Sequence, residues 1–325
     1  MRSVLFLTFV VVVLARQAAT AATNPLVPAN SWDSHIHIID PVNFPLSLGC
    51  EYTPKAALIS NATEFQAKTG ISHFVIVLPS VYGTNNSVLL DALKKFNGTA
   101  RGVAVVDPDT VSNETLAEYH AAGVRGVRVN FGNDGNDEEI VEAVKKNAAI
   151  AKIHGWVLQV WIPIRSFAVL HDVIPTLGVR VVTDHFGHAE VGSRTNNTLD
   201  TIDPYRGPGF SEIIDLVRRK LLFVKISAPY QNSKASPLYE DMRVIAETLI
   251  VNGPDMVVYG SDWPHTGNKE GNAAVGGRLN EQEFRKVDDI AIIKLHKTWA
   301  GSEAQVRRLF VDNPRRLWGW SDPSS

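Results

Sequence analysis

Cysteine is almost missing: Cys50 is the only one, so no disulfide can close within the chain. With no motif around it, Cys50 reads as a small buried hydrophobe and not as a reactive thiol. Charge imbalance is missing too. There are 32 lysines and arginines against 34 aspartates and glutamates, a formal net charge of −2, which gives no basis for nucleic acid or an anionic membrane as partner. No Gly-x-Gly-x-x-Gly follows the first apolar run and no phosphate loop occurs, which argues against an open nucleotide-binding sheet. No stretch rich in proline, glycine or serine separates two domains. What remains is a globular composition, 45% hydrophobic and 20% charged over 325 residues. That length accommodates one large α/β barrel, which takes about 250 residues.

The apolar run 4–14 has only Thr8 as a polar interruption. It is too short for a bilayer, which needs about 20 residues. Arg2 precedes it, and Arg16 and Ala18-Ala19-Thr20-Ala21-Ala22 follow. This is the pattern of a secretory leader over 1–21, cut after Ala21, with a single domain over 22–325. Asn-x-Ser/Thr sequons at Asn61, Asn85, Asn97, Asn113 and Asn196 fit a chain that traverses the secretory pathway and carries N-glycans. The expectation is a secreted protein, free of the membrane after cleavage.

From Trp32 onward, short apolar runs alternate with amphipathic ones. The runs 32–39, 73–79, 102–107, 126–131, 156–163, 179–185, 222–227 and 256–262 are near-continuously hydrophobic, as parallel strands covered on both faces are. Helical periodicity marks 87–96, 113–122, 137–154, 166–177, 210–220, 236–251, 287–299 and 303–310. Ser112-Asn113-Glu114 and Ser236-Pro237 signal helix starts, and Gly98, Gly123 and Gly155 signal stops. Eight strands with crossover helices predict an α/β fold, a single-domain (β/α)₈ TIM barrel, with its chemistry at the C-terminal strand ends. The glycine-rich segment 265–283 leaves the last strand on that face, in the position of a lid.

Side chains alternate along a strand, so His35 and His37 share a face with Asp33 and point to the barrel mouth. His185 ends the sixth run and Asp262 the eighth. One histidine in a strand is ordinarily a satisfied core residue. Two at this spacing, with a third and a carboxylate at other strand ends, indicate chemistry. Such a carboxylate is either a general base toward water or a metal ligand beside the imidazoles. The plainer alternative is a loop cap before Pro264.

At these residues the chain resembles a known family. The motifs are Asp33-x-His35-x-His37, Leu78-Pro79-Ser80-Val81-Tyr82-Gly83-Thr84-Asn85, Gly123-Val124-Arg125-Gly126-Val127-Arg128, Asp184-His185-x-Gly187 and Ser261-Asp262-Trp263-Pro264-His265. Together they resemble the amidohydrolase superfamily, and within it the amidohydrolase-2 group that includes lactonases of 2-pyrone-4,6-dicarboxylate and of sugar lactones. The closing Asp312-Asn313-Pro314-Arg315-Arg316-Leu317-Trp318 is similar to that group's C-terminal signature. The resemblance runs from Asp33 to Trp318. It implies a hydrolase of a small cyclic ester or related carbonyl compound, in which Asp262 activates water and His35, His37 and His185 polarise or position the carbonyl. It also implies Arg128 as a substrate clamp, with Tyr52 and Ser80 at matching positions. Trp161, His188 and His265, with Tyr82 and Trp263, complete the expected walls of a small-molecule pocket. Arg125 is out of phase with Arg128 and reads as structural.

Zinc-dependent members of the superfamily usually add a histidine at the end of the fifth strand, and Trp156-Val157-Leu158-Gln159-Val160-Trp161-Ile162-Pro163 has none. The fourth run offers Arg128 and Asn130, and a guanidinium repels a cation. The resemblance thus implies hydrolysis without a required metal. One divalent ion, zinc or manganese, would take His35, His37, His185 and Asp262 as its ligands. The group's dicarboxylate lactonase grips its substrate with several arginines. Only Arg128 matches one; Asp134, His188 and Gln231 stand in the other places. One guanidinium holds one carboxylate or one polarised carbonyl, so the expected substrate is a less charged lactone, ester or amide, aromatic or sugar-derived. Two other readings stay open: a metal-dependent decarboxylase of an aromatic or muconate-type acid, and a barrel that binds without turnover.

Overall fold

The computed structural model describes residues 25–191, 193 and 202–320. The leader expected over 1–21 and the sequon at Asn196 lie outside the described residues. The other four sequon asparagines, Asn61, Asn85, Asn97 and Asn113, are exposed. Among the described residues no helix is long and apolar enough to cross a membrane.

Eight strands form one parallel sheet: β1 (Trp32–Ile36), β2 (His73–Val77), β3 (Ala100–Ala104), β4 (Val124–Asn130), β5 (Val157–Trp161), β6 (Arg180–Thr183), β7 (Leu222–Ser227) and β8 (Val257–Gly260). They neighbour one another in chain order. The two ends then meet. Asp262 N–H donates to the His35 carbonyl, and His37 N–H donates to the Trp263 carbonyl, each at 2.8 Å. The sheet closes into the expected (β/α)₈ barrel.

Helices α1 (Ile59–Thr69), α2 (Ser87–Lys95), α3 (Asn113–Ala122), α4 (Asp137–Ile153), α5 (Phe167–Val173), α6 (Phe210–Arg218), α7 (Arg243–Asn252) and α8 (Asp289–Ala300) fill the crossovers. The sequence reading has no counterpart of α1. Its N-cap is Leu58, which has no side-chain acceptor, and the cap is made instead by Asn61 accepting from Leu58 N–H at 3.0 Å. The helix expected over 236–251 starts only at Arg243, because Tyr239 takes a left-handed φ of 55° and a 3₁₀ turn, Glu240–Met242, intervenes. Helix α5 gives way to a 3₁₀ turn, Ile174–Thr176, at Pro175, which has no N–H to offer. Arg125 lies on the outer side as expected, donating to the His120 and Val124 carbonyls at 2.8 and 2.7 Å.

The strands are shorter at their C-terminal ends than the apolar runs imply. His37, His185 and Asp262 lie just past β1, β6 and β8. His185 and Asp262 have φ of 48° and 65°, so left-handed backbone turns the chain there. Side chains rarely accept this conformation, and it concentrates at functional sites.

The segment after β8 is folded over the mouth. It carries two short turns, Lys269–Gly271 and Asn272–Val275, and a two-residue strand, Glu281–Gln282, that pairs in parallel with Thr53–Pro54. Gln282 Nε2 donates to the Asn268 carbonyl at 3.1 Å and to Asn272 Oδ1 at 2.7 Å. At the opposite end, Trp318 Nε1 donates to Ser34 Oγ at 3.2 Å, and Asn313 Nδ2 donates to the Val257 carbonyl at 2.7 Å. The C-terminal signature therefore seals the barrel below β1 and β8.

Candidate active site

The deepest layer is an ionic cluster on the inward faces of β4, β5 and β7 and at the end of β6. Lys225 is fully buried, yet its ammonium is met by two hydrogen-bond acceptors and one carboxylate oxygen. These are Gln159 Oε1 at 2.7 Å, Asp184 Oδ1 at 3.1 Å and His35 Nδ1 at 3.2 Å. Asp184 Oδ2 accepts from Arg128 Nη2 at 3.1 Å and from Gln159 Nε2 at 2.9 Å. Burial alone would raise the Asp184 carboxyl. Lys225, the His35 ring and Arg128 outweigh it and hold that carboxyl well below the usual range. Burial lowers the Lys225 ammonium to about 8, which leaves it charged at neutral pH.

This cluster fixes the tautomer of His35. An ammonium only donates, so Nδ1 of His35 accepts and Nε2 carries the hydrogen. His35 sits deeper than the sequence reading placed it. It is fully buried and does not border the cavity. The cause is an extra residue in β1 between Asp33 and Ile36, a bulge that re-aims His35 relative to His37. Their rings meet edge to face at 81°. Gly260 makes room for this approach, since a Cβ there would come within 3.0 Å of His35 Cβ. Asp33 is also buried away from the cavity. Its Oδ1 accepts from the N–H groups of His35 and Ser261 at 3.1 and 2.9 Å, and burial raises its pKa to about 7.

Above the cluster, three imidazole Nε2 atoms surround Asp262 Oδ1: His37 at 3.3 Å, His35 at 3.5 Å and His185 at 3.9 Å. The second oxygen of Asp262 is occupied, accepting from the Tyr230 hydroxyl at 2.7 Å. Burial would raise this carboxyl, but the surrounding imidazoles of His185, His37 and His35 hold it well below its ordinary value. His37 Nδ1–H donates to the Val77 carbonyl at 2.7 Å. In the neutral ring Nε2 is then a lone pair facing Asp262 Oδ1. Two acceptors so close call for a shared proton, a water donating to both, or a cation. His185 Nδ1 is 2.9 Å from Ser227 Oγ, and burial pushes its pKa down to about 4.

The cavity over Asp262 measures about 470 Å³, the size of a small-molecule site. His37, His185, Asp262, Arg128, Tyr52, Ser80, Trp161 and His188 all border it, so most of the expected site residues converge. So do Asp134 and Gln231. His265 does not border it. Its Nδ1 is 3.2 Å from the Tyr230 hydroxyl and its Nε2 is 3.2 Å from Asp289 Oδ2, which puts it behind Tyr230 as a support. Lys225, Gln159 and Tyr230 are the residues that sequence reasoning missed. A lysine between Val224 and Ile226 in an unbroken apolar strand was the available signal, because lysine is almost never fully buried unless paired.

The donor set fits a divalent ion. His35, His37 and Asp262 form one compact ligand group, and His35, Asp184 and His185 form another, with ligand atoms within 4.8 Å of one another. Nε2 of His35 is buried without a hydrogen-bond partner. Spacings of 3.3 to 3.9 Å around Asp262 Oδ1 suit the edges of a tetrahedral site, where bonds of about 2.0–2.1 Å put ligands roughly 3.3 Å apart.

The family model described as amidohydrolase matches residues 32–320, nearly everything from β1 to the C-terminal signature. This chain belongs to the amidohydrolase family. A 4-sulfomuconolactone hydrolase from Hydrogenophaga intermedia is 29% identical over 306 residues, covering 91% of this chain and 92% of that protein. A protein from Comamonas testosteroni named as a 2-pyrone-4,6-dicarboxylate hydrolase is 28% identical, covering 90% of this chain and 91% of its own length. Among solved structures, Agrobacterium tumefaciens ATU3138 superposes with a TM-score of 0.73 at 21% identity, covering 92% of this chain and 98% of that one. At that identity the likeness speaks for the barrel alone. This amidohydrolase thus matches, over nearly its whole length, relatives named as lactone hydrolases.

Proposed function

We propose that this amidohydrolase hydrolyses a lactone, with Asp262 as the base that activates water. The observation that carries the reading is the asymmetry of the Asp262 carboxylate. Oδ2 is occupied by Tyr230, and Oδ1 faces the cavity beside a lone pair on His37 Nε2. A water molecule donating to both oxygen and nitrogen is placed for attack. Its oxygen bonds to the ring carbonyl carbon while Asp262 Oδ1 takes its proton. Oxyanion charge develops beside His185 Nε2 and the guanidinium of Arg128, both of which border the cavity. The ring carbon–oxygen bond then breaks, the alkoxide recovers the proton from Asp262, and a hydroxy acid leaves.

A divalent ion held by Nε2 of His37 and His185 and by Asp262 Oδ1, joined by His35 only if its Nε2 gave up the hydrogen, would supply Lewis-acid polarisation of the carbonyl. We infer that the reaction does not require it. The two ionised buried carboxylates, Asp184 and Asp262, already share their surroundings with two buried cations, Lys225 and Arg128, so the centre is balanced without added charge. Protein stripped with a strong chelator is expected to keep its lactonase kcat within about 2-fold, whereas a metal-activated water loses orders of magnitude. Activity abolished by chelation and restored by zinc or manganese, with release of carbon dioxide, would establish the decarboxylase instead.

A further inference from the structure

The lining of the cavity carries a net negative charge. Its carboxylates are Glu51, Asp134, Glu270 and, at the floor, Asp262. Among the described residues, Arg128 and Lys269 are the only lysine or arginine side chains bordering it. Four carboxylates against two cations leave the lining at −2. Lys269, the cation at the rim, is committed to carboxylates. Lys269 Nζ is 2.6 Å from Asp134 Oδ2 and 3.8 Å from Glu51 Oε1. Arg128, at the floor, gives Nη2 to Asp184, which lies outside the cavity, so a single guanidinium faces the reacting carbonyl.

The placement of these carboxylates is held by the fold. The loop after β8 brings Lys269 and Glu270 across the mouth, and the Lys269 ion pair ties that loop to the loop after β4. Asn272 Nδ2 donates to the Glu51 carbonyl at 2.9 Å, and the Tyr52 hydroxyl donates to Thr266 Oγ1 at 3.1 Å, which ties it to the loop after β1. A substrate entering the cavity passes this acidic ring. A cleft lined by one sign of charge focuses its field, so the ring acts on the on-rate and on the bound state together.

We infer that Glu51, Asp134 and Glu270 form a charge filter that rejects dianionic lactones. The substrate this implies is a lactone whose ring bears no ionised substituent and meets the neutral donors and acceptors of Asn130, Gln231 and Asn268. The inference rests on the lactonase reading and departs from the dicarboxylate in the name of the Comamonas relative.

The test compares kcat/KM for glucono-1,5-lactone, uncharged, with that for 2-pyrone-4,6-dicarboxylate, a dianion, in the full-length protein. Wild type is expected to favour the uncharged lactone by about 100-fold at low ionic strength. In Glu51→Gln/Glu270→Gln the ratio is expected to move about 10-fold toward the dianion, and that movement should collapse in about 0.5 M salt, where screening falls to a few ångströms. Asp134→Asn, which frees Lys269, should move it the same way. A wild type that prefers the dianion, or a ratio that ignores all three carboxylates, overturns the filter and leaves the hydrolase reading standing. Failure to open any lactone, charged or not, overturns the hydrolase reading and the filter with it.

Discussion

Replacing Asp262 with asparagine is expected to lower kcat for lactone hydrolysis on the order of 10³-fold, in line with loss of a positioned general base. The substitution keeps the shape of the side chain, and its amide oxygen still accepts from the Tyr230 hydroxyl. It puts an NH₂ group in the place of Oδ1, which can donate to His37 Nε2 but cannot take a proton from water. KM is expected to stay within about 3-fold, because substrate contacts come from walls the substitution leaves alone. Stability should fall modestly. The imidazoles around Asp262 hold its carboxyl well below its ordinary value despite its burial, so the fold favours the ionised form and the amide loses that contribution. Steady-state kinetics with a thermal melt on the same preparation separate these effects. A variant that hydrolyses lactone at the wild-type rate contradicts the assignment.

Lys225→Met has the second largest expected effect, and it acts on both stability and rate. Methionine fills similar volume but leaves Asp184 Oδ1 without its ammonium partner, 3.1 Å away in the native cluster. Removing one member of a buried ion pair costs about 3–5 kcal/mol. Arg128 and Gln159 still hold Oδ2, so the lower end applies. The rate effect runs through His35. With Lys225 gone, Nδ1 of His35 can carry the hydrogen and donate to Asp184 Oδ1, 3.4 Å away, which leaves a second lone pair facing Asp262. A fall in kcat on the order of 10²-fold with little change in KM is expected, the scale of losing a residue that orients a reacting group. The pH profile distinguishes this from a loss of folding alone. The Lys225 ammonium titrates at about 8, so wild-type activity should fall as pH rises through that value, and the limb should vanish in the variant. A melt and a pH profile both indistinguishable from wild type would contradict the role given to Lys225.

The barrel was legible because parallel strands buried on both faces read as unbroken apolar runs, and these occur in order from Trp32 to Tyr259. The meeting of His37, His185 and Asp262 at one cavity was legible because a barrel gathers its C-terminal strand ends at one mouth. What escaped was pairing across the barrel. Lys225, Gln159, Asp184 and Arg128 come from four different strand segments, and nothing local in a single sequence says that they meet. The depth of His35 escaped because a bulge breaks the two-residue period that the expectation relied on. His265 escaped because its backbone is left-handed, with φ of 68°, so strand alternation does not tell where its ring points.

Opening a lactone in water enriched in heavy oxygen tests the central claim most directly. If water activated by Asp262 attacks the ring carbonyl, one heavy atom enters the new carboxylate and none enters the released hydroxyl, with metal-stripped protein behaving the same way. Label in the hydroxyl, or carbon dioxide released without a labelled carboxylate, would contradict it.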